Sequence, residues 1–394
     1  MTTLTAAAAA EVEPTLALLE ALVAQRSLEG EEAAIERCLE LMHDAVAPLA
    51  REVTRPVVDG LPALIARFGD GPVAQRVALS GHVDVVPADG AWASDPFTPA
   101  RRGAVLAGRG TCDMKGGVAA FAGALRALSA AGLLERCSVE LVLTADEEVG
   151  SRRGLIPLLE AGAVSATSAI CGEPTGLDVY LGNRGLIWAA ITVTGRGGHA
   201  GQAHALANPI AVASELIAAL HAVELPVRDE RFDPPAPSLT VTGVEGGPAA
   251  EAVNVIPDRV VLGVDRRLLP AEDVDAAVGV LRETVARVVG EPYGHAIELL
   301  RTWPAYAIEP QEPIAQACVA AARAAGRPGT LGMDSAANDS SWLDRAGIPT
   351  VLLGPGAPEQ AHVTDEHVPL ADVADAIAIY AHAIAARSSG RDIA

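Results

Sequence analysis

The chain has 394 residues, half of them hydrophobic and 3% aromatic, and a formal net charge of −21. This length and apolar content allow two domains with a sizeable buried core, and the negative charge argues against non-specific binding to nucleic acid or anionic membranes. The cysteines Cys38, Cys112, Cys137, Cys171 and Cys318 form no Cys-x-x-Cys pair, so reduced thiols and a cytoplasmic location are expected.

The N-terminal stretch MTTLTAAAAAEVEP lacks the basic segment and long apolar core of a secretory signal. No run approaches ~20 uninterrupted apolar residues, so no spanning helix is expected. Residues 12–48 alternate apolar and charged positions at helical spacing. Short apolar runs follow, each ended by a polar, glycine-rich loop: RVALSGHVD, SVELVLTADEE, ATSAICGEPT and, much later, IPTVLLGPG. Helical stretches such as GGVAAFAGALRALSAAG lie between them. Continuous apolar strands alternating with helices predict an α/β domain with a largely parallel sheet. Residues 186–300 read instead as βαββαβ, the ferredoxin-like α+β order. The expected organisation is a discontinuous larger domain, 1–185 and 301–394, with a smaller domain inserted at 186–300.

Ligands of an open α/β sheet bind beyond the carboxyl ends of its strands, where this chain's unusual polar clusters fall. SGHVDVVP supplies His82 and Asp84, GRGTCDMKGG supplies Asp113, and TADEE supplies Asp146, Glu147 and Glu148. CGEPT supplies Glu173, and QAHVTDEH supplies His362. Nitrogen and oxygen donors of this kind suit zinc, with a carboxylate to spare. Each fragment alone also has a plainer reading. His-x-Asp can be a hydrogen-bonded turn, Asp113 a helix N-cap, and Glu173 a solvated loop acid. His362 and His367 can be surface histidines, and Cys112 a small buried filler.

Jointly, GHVDVVP, GRGTCDMKGG, TADEEVG, GEPT, GGHAG, NVIP and GPG…AHVTDEHV run in one order between about residues 12 and 385. In these motifs the chain resembles the di-zinc amidohydrolase and exopeptidase family of acetylornithine deacetylase, succinyl-diaminopimelate desuccinylase, aminoacylase and glutamate carboxypeptidase. The resemblance implies two zinc ions per subunit, the donor set leaving cobalt or manganese open. His82 and Glu173 would hold one ion and Glu148 and His362 the other, with Asp113 bridging. Asp84 would fix the His82 tautomer, and the Asp113–Met114 peptide would be cis. Glu147, beside the ligand Glu148 but itself unligated, would be the general base. That division of labour makes sense of three adjacent acids, since a pair of cations favours clustered carboxylates.

The resemblance also makes the inserted domain a dimerisation domain, giving a homodimer in which His199 reaches the partner's active site to stabilise an oxyanion. Asn254, in AVNVIPD, would help hold substrate, and Arg267, in VDRRLLP, would clamp its carboxylate. If side chains alternate along that strand, Arg266 and Arg267 face opposite ways. Asp146, His204, Asp334 and Asp339 stay without an assigned role. The implied activity is hydrolysis of the amide of a small N-acyl amino acid, as in acetylornithine deacetylase. Dipeptidase or carboxypeptidase action and N-succinyl desuccinylation use the same fingerprint. A non-catalytic descendant would have lost a ligand or the base, and every one of them is present.

Overall fold

The computed structural model describes residues 2–247 and 250–389. The chain divides into two compact units. The first comprises residues up to Gly182, Ala307–Met333 and those from Asn338 onward; the second comprises Asn183–Tyr306 with Asp334–Ala337.

The first unit is built on a mixed sheet whose centre is parallel. Strand Val77–His82 runs parallel to Val139–Thr144 on one side and to Ser168–Cys171 on the other. Ser168–Cys171 is parallel in turn to Thr350–Leu352. These are the four apolar runs of the sequence. Every residue of Val77–His82 and of Val139–Thr144 is buried, as expected of strands covered on both faces. The margins are antiparallel: Leu64–Phe68 pairs with Val139–Thr144, and Tyr180 lies opposite Leu352. The sheet is therefore parallel at its centre and antiparallel at its edges.

Helix Lys115–Ala130 is buried along most of its length. Its glycines permit this. A Cβ at Gly117 would stand 2.2 Å from the Gly172 carbonyl oxygen, and one at Gly123 would stand 2.4 Å from Thr15 Oγ1. The helix start is thereby held against the backbone that carries Glu173.

The second unit has the order βαββαβ. An antiparallel sheet runs Ser238–Glu245, Arg259–Leu268, Gly185–Thr194, Gly294–Trp303, with helices Pro209–His221 and Val274–Val288. This is the ferredoxin-like arrangement. The strand residues Ile191, Val193, Leu262 and Val264 bury against Leu216, Leu220, Leu281 and Val285 of the helices. Among the described residues, no helix is long and apolar enough to cross a membrane.

Candidate active site

The four parallel strands all deliver chemistry at their carboxyl ends. His82 is the last residue of its strand, Glu147 and Glu148 follow Thr144, Glu173 follows Cys171, and the loop after Leu352 leads to His362. Two sets of atoms that could hold a metal ion result, His82 with Asp113 and Glu173, and Asp113 with Glu148 and His362. Within each set the atoms lie within 4.8 Å of one another. Asp113 belongs to both. Its carboxylate lies 3.4 Å from His82 Nε2 through Oδ1 and 3.2 Å from His362 Nε2 through Oδ2. His82 Nε2 is also 3.7 Å from Glu173, and His362 Nε2 is 3.1 Å from Glu148. Asp113 does not cap the following helix, whose N-cap position is Met114 with no side-chain bond. The Asp113–Met114 peptide is cis.

His82 is oriented from behind. Its Nδ1 lies 3.0 Å from the Asp84 carbonyl oxygen, an acceptor only, so Nδ1 carries the proton of a neutral ring and Nε2 is the nitrogen left facing the cluster. The Asp84 carboxylate is 3.4 Å from the same nitrogen and accepts the Glu148 N–H at 3.2 Å. The expected contact to this nitrogen is the Asp84 carboxylate; its backbone carbonyl makes the closer contact instead, and its side chain accepts from the Glu148 loop.

The Glu147–Glu148 loop is a tight turn. Asp146 takes a left-handed backbone (φ 77°), and its carbonyl accepts the Ser151 N–H at 2.6 Å. The Asp146 carboxylate accepts the Arg153 N–H at 2.8 Å, closing the loop. Ser151 Oγ donates to buried Asp339. Sequence context gives Asp339 no role, because its partner lies 188 residues away. After Leu352, a Cβ at Gly354 would meet the Gly172 and Glu173 carbonyl oxygens at 2.2 and 2.5 Å, so glycine there lets two backbone segments meet.

The electrostatics are those of a buried cluster of carboxylates that shares protons with two imidazoles. Burial pushes the Glu147 carboxyl well above the ordinary range, with Glu173, Asp339 and Glu148 adding to the rise. Burial also raises Glu148. Asp113 goes the other way: burial would raise it, yet the imidazoles of His362 and His82 hold it well below. The Asp113 and Glu148 carboxylates push His362 up to about 10. For His82, burial opposes the charge, and the bonds to Asp113 and Asp84 outweigh it and raise the ring. A divalent cation would replace these shared protons, and imidazole nitrogen with carboxylate oxygen is the donor chemistry of zinc. The residues fit such ions.

The sequence-selected residues of the second unit fall at two places in it. The short strand Gly198–His199 pairs with Val255–Ile256, and the Ala200 N–H donates to the Asn254 carbonyl at 2.8 Å, so His199 and Asn254 are neighbours. His199 is exposed, and its Nδ1 accepts the Gly201 N–H at 3.0 Å, which leaves the proton of a neutral ring on Nε2. His204 is exposed on the following 3-10 stretch. Arg266 and Arg267 do alternate. Arg266 is buried and paired with Glu272, whereas Arg267 is forked onto Asp265, with Nε to Oδ1 at 2.9 Å and Nη2 to Oδ2 at 3.0 Å. Asp265 also accepts the Trp188 indole N–H at 2.6 Å.

Residues 78–386 match the model of Peptidase family M20/M25/M40. The chain is 35% identical to a succinyl-diaminopimelate desuccinylase of Gluconacetobacter diazotrophicus, over 81% of this chain and 83% of that protein. It is 32% identical to an acetylornithine deacetylase of Myxococcus xanthus, over 85% and 86%. Its fold is that of an M20 family metallo-carboxypeptidase from Sulfolobus solfataricus, with a TM-score of 0.81 at 18% identity, covering 95% and 99% of the two chains. With the family model spanning most of its length and both relatives aligned across more than four fifths of theirs, the chain belongs to peptidase family M20/M25/M40 and is a hydrolase.

Proposed function

We propose that the protein hydrolyses the amide bond of a small N-acyl amino acid, with an acetyl or succinyl acyl group, in a metal-dependent reaction. The observation that carries this is the shared Asp113 carboxylate, flanked by His82 and Glu173 on one side and Glu148 and His362 on the other, with Glu147 buried beside them and outside both sets. We assign two zinc ions to these sets, cobalt and manganese sharing the same donors. Bound there, such ions supply what side chains cannot, polarising a carbonyl and lowering the pKa of a water towards ~7.

The remaining work falls to the chain. Glu147, held by the Asp146 turn, takes a proton from the attacking water on its carboxylate and returns it to the leaving nitrogen. Its raised pKa suits both halves of that task. Asp84 holds the proton on His82 Nδ1, which leaves Nε2 facing inwards as the atom that would bind an ion. His199 donates from Nε2 to the oxygen that gains charge, and its exposure is what supports a homodimer formed through the second unit, with His199 serving the partner's centre. Asn254, beside it, would steady the substrate. Arg267 would act as the carboxylate clamp by exchanging Asp265 for the substrate's carboxylate. All five cysteines are buried and in no disulfide, which suits a cytoplasmic enzyme.

A substrate panel under one set of conditions tests the assignment. Release of amine from N-acetyl or N-succinyl amino acids, at a kcat/KM above that for dipeptides, is expected. Turnover of dipeptides with none of any acyl amino acid would overturn it in favour of a peptidase.

Metal uptake should depend on pH in a defined sense. In the metal-free protein His362 holds its proton up to about pH 10, whereas a metal needs the neutral ring. Affinity should therefore rise as pH rises, by about tenfold per unit between pH 7 and 9 from this group alone. Zinc titrations against a competing chelator at several pH values read this directly. A pH-independent affinity would contradict it.

A further inference from the structure

Glu366 is completely buried, four residues beyond His362, and nothing in the mechanism uses it. Its carboxylate collects donors from the turn that carries Asp113. Oε1 accepts the N–H groups of Cys112 at 2.8 Å and Asp113 at 3.1 Å. Oε2 accepts the Gly110 N–H at 3.0 Å and Arg109 Nη1 at 2.7 Å. The Glu366 carbonyl accepts the Gly108 N–H at 2.9 Å. The turn from Gly108 to Asp113 is thus wrapped around one side chain from 253 to 257 residues further along.

Both ends of this contact are secured. The Arg109 guanidinium is buried with Glu366 and lies over the Trp92 ring, 5.0 Å from its centroid. On the other side His367 opens a strand, His367–Pro369, paired with Val105–Ala107. Asp365 accepts the Ala93 N–H at 2.9 Å. His362 itself has a left-handed backbone (φ 63°), so its direction depends on how the following residues are anchored.

We propose that Glu366 is a positioning residue for the metal pair: it locks the backbone at Asp113 to the segment bearing His362, so that the shared carboxylate and His362 are presented together to one ion. This deepens the metal-dependent reading above and rests on it. A carboxylate suits the place because all four side-chain contacts are donors aimed at it. The amide of glutamine would set its own N–H groups against some of those donors.

The test is zinc titration of the full chain against a chromogenic chelator, with Glu366→Gln and Glu366→Asp beside the wild type and folding followed by circular dichroism. In Glu366→Gln, the zinc equivalent held with His362 should weaken by about 10–100-fold, the usual range for residues that orient metal ligands, while the other, which shares Asp113 but not His362, weakens less. Glu366→Asp keeps the charge facing Arg109 and should fall between. A purely structural role would lower the melting temperature of the metal-free protein and leave both zinc affinities unchanged, or weaken them equally; either result overturns the proposal. If Glu366→Gln does not fold, Glu366→Asp decides on the same two readings. A wild-type chain that takes up no zinc would defeat the functional assignment itself, whereas two unaltered equivalents in the variants would defeat only the role of Glu366.

Discussion

Replacing Glu147 with glutamine is expected to lower kcat by about 10²–10⁴-fold, the range for a positioned general base, with the metal content of the protein unchanged. Glu147 lies outside both ligand sets, so the substitution removes no donor to a cation. It does remove a carboxylate beside them that burial holds well above its usual range, and therefore a group suited to take up and return a proton near neutral pH. Glutamine fills almost the same volume, and the turn is anchored by Asp146, Ser151 and Asp339 rather than by Glu147. KM should accordingly change much less than kcat. Turnover within about threefold of wild type would remove Glu147 from the proton path, since even the weak end of general-base catalysis exceeds that.

Asp113→Ala should do more than weaken one site. Its two oxygens face two different histidines, so the substitution takes a ligand from both sets at once. Loss of metal-derived stabilisation amounts to several kcal/mol, or about 10³-fold or more in rate. Metal content should fall below that of a variant losing a ligand from one set only, such as His362→Ala. Equal metal loss in the two variants would show that Asp113 is not shared.

Much of this centre is legible in the amino-acid sequence. Val77–His82 and Val139–Thr144 are buried on both faces, which writes them into the sequence as mainly apolar runs despite Ser80 and Glu140, and the polar residues ending such runs mark the working edge of the sheet. The strand Leu64–Phe68 leaves no such mark. It is antiparallel to Val139–Thr144, so its carboxyl end lies away from the polar clusters, and its partly exposed Arg67 reaches Glu140 on the neighbouring strand at 2.8 Å.

Contacts across long sequence separations are hidden for a different reason. Glu366 reads as one more acid in a polar loop until the Gly108–Asp113 turn closes around it. Asp339 needs Ser151 to acquire a role. For Arg267, alternation along the strand implies that it and Arg266 face opposite ways, but not that Asp265, two residues earlier on the same face, holds its guanidinium.

Metal dependence is the point on which everything else turns. The decisive measurement is the metal content of the purified protein, taken together with amine release from an N-acyl amino acid, before and after chelation and again after adding zinc. Two ions per chain, activity that disappears with the ions and its return with zinc are the expected results. Undiminished amine release from a chain stripped of metal would contradict the assignment of His82, Asp113, Glu148, Glu173 and His362 as the catalytic centre.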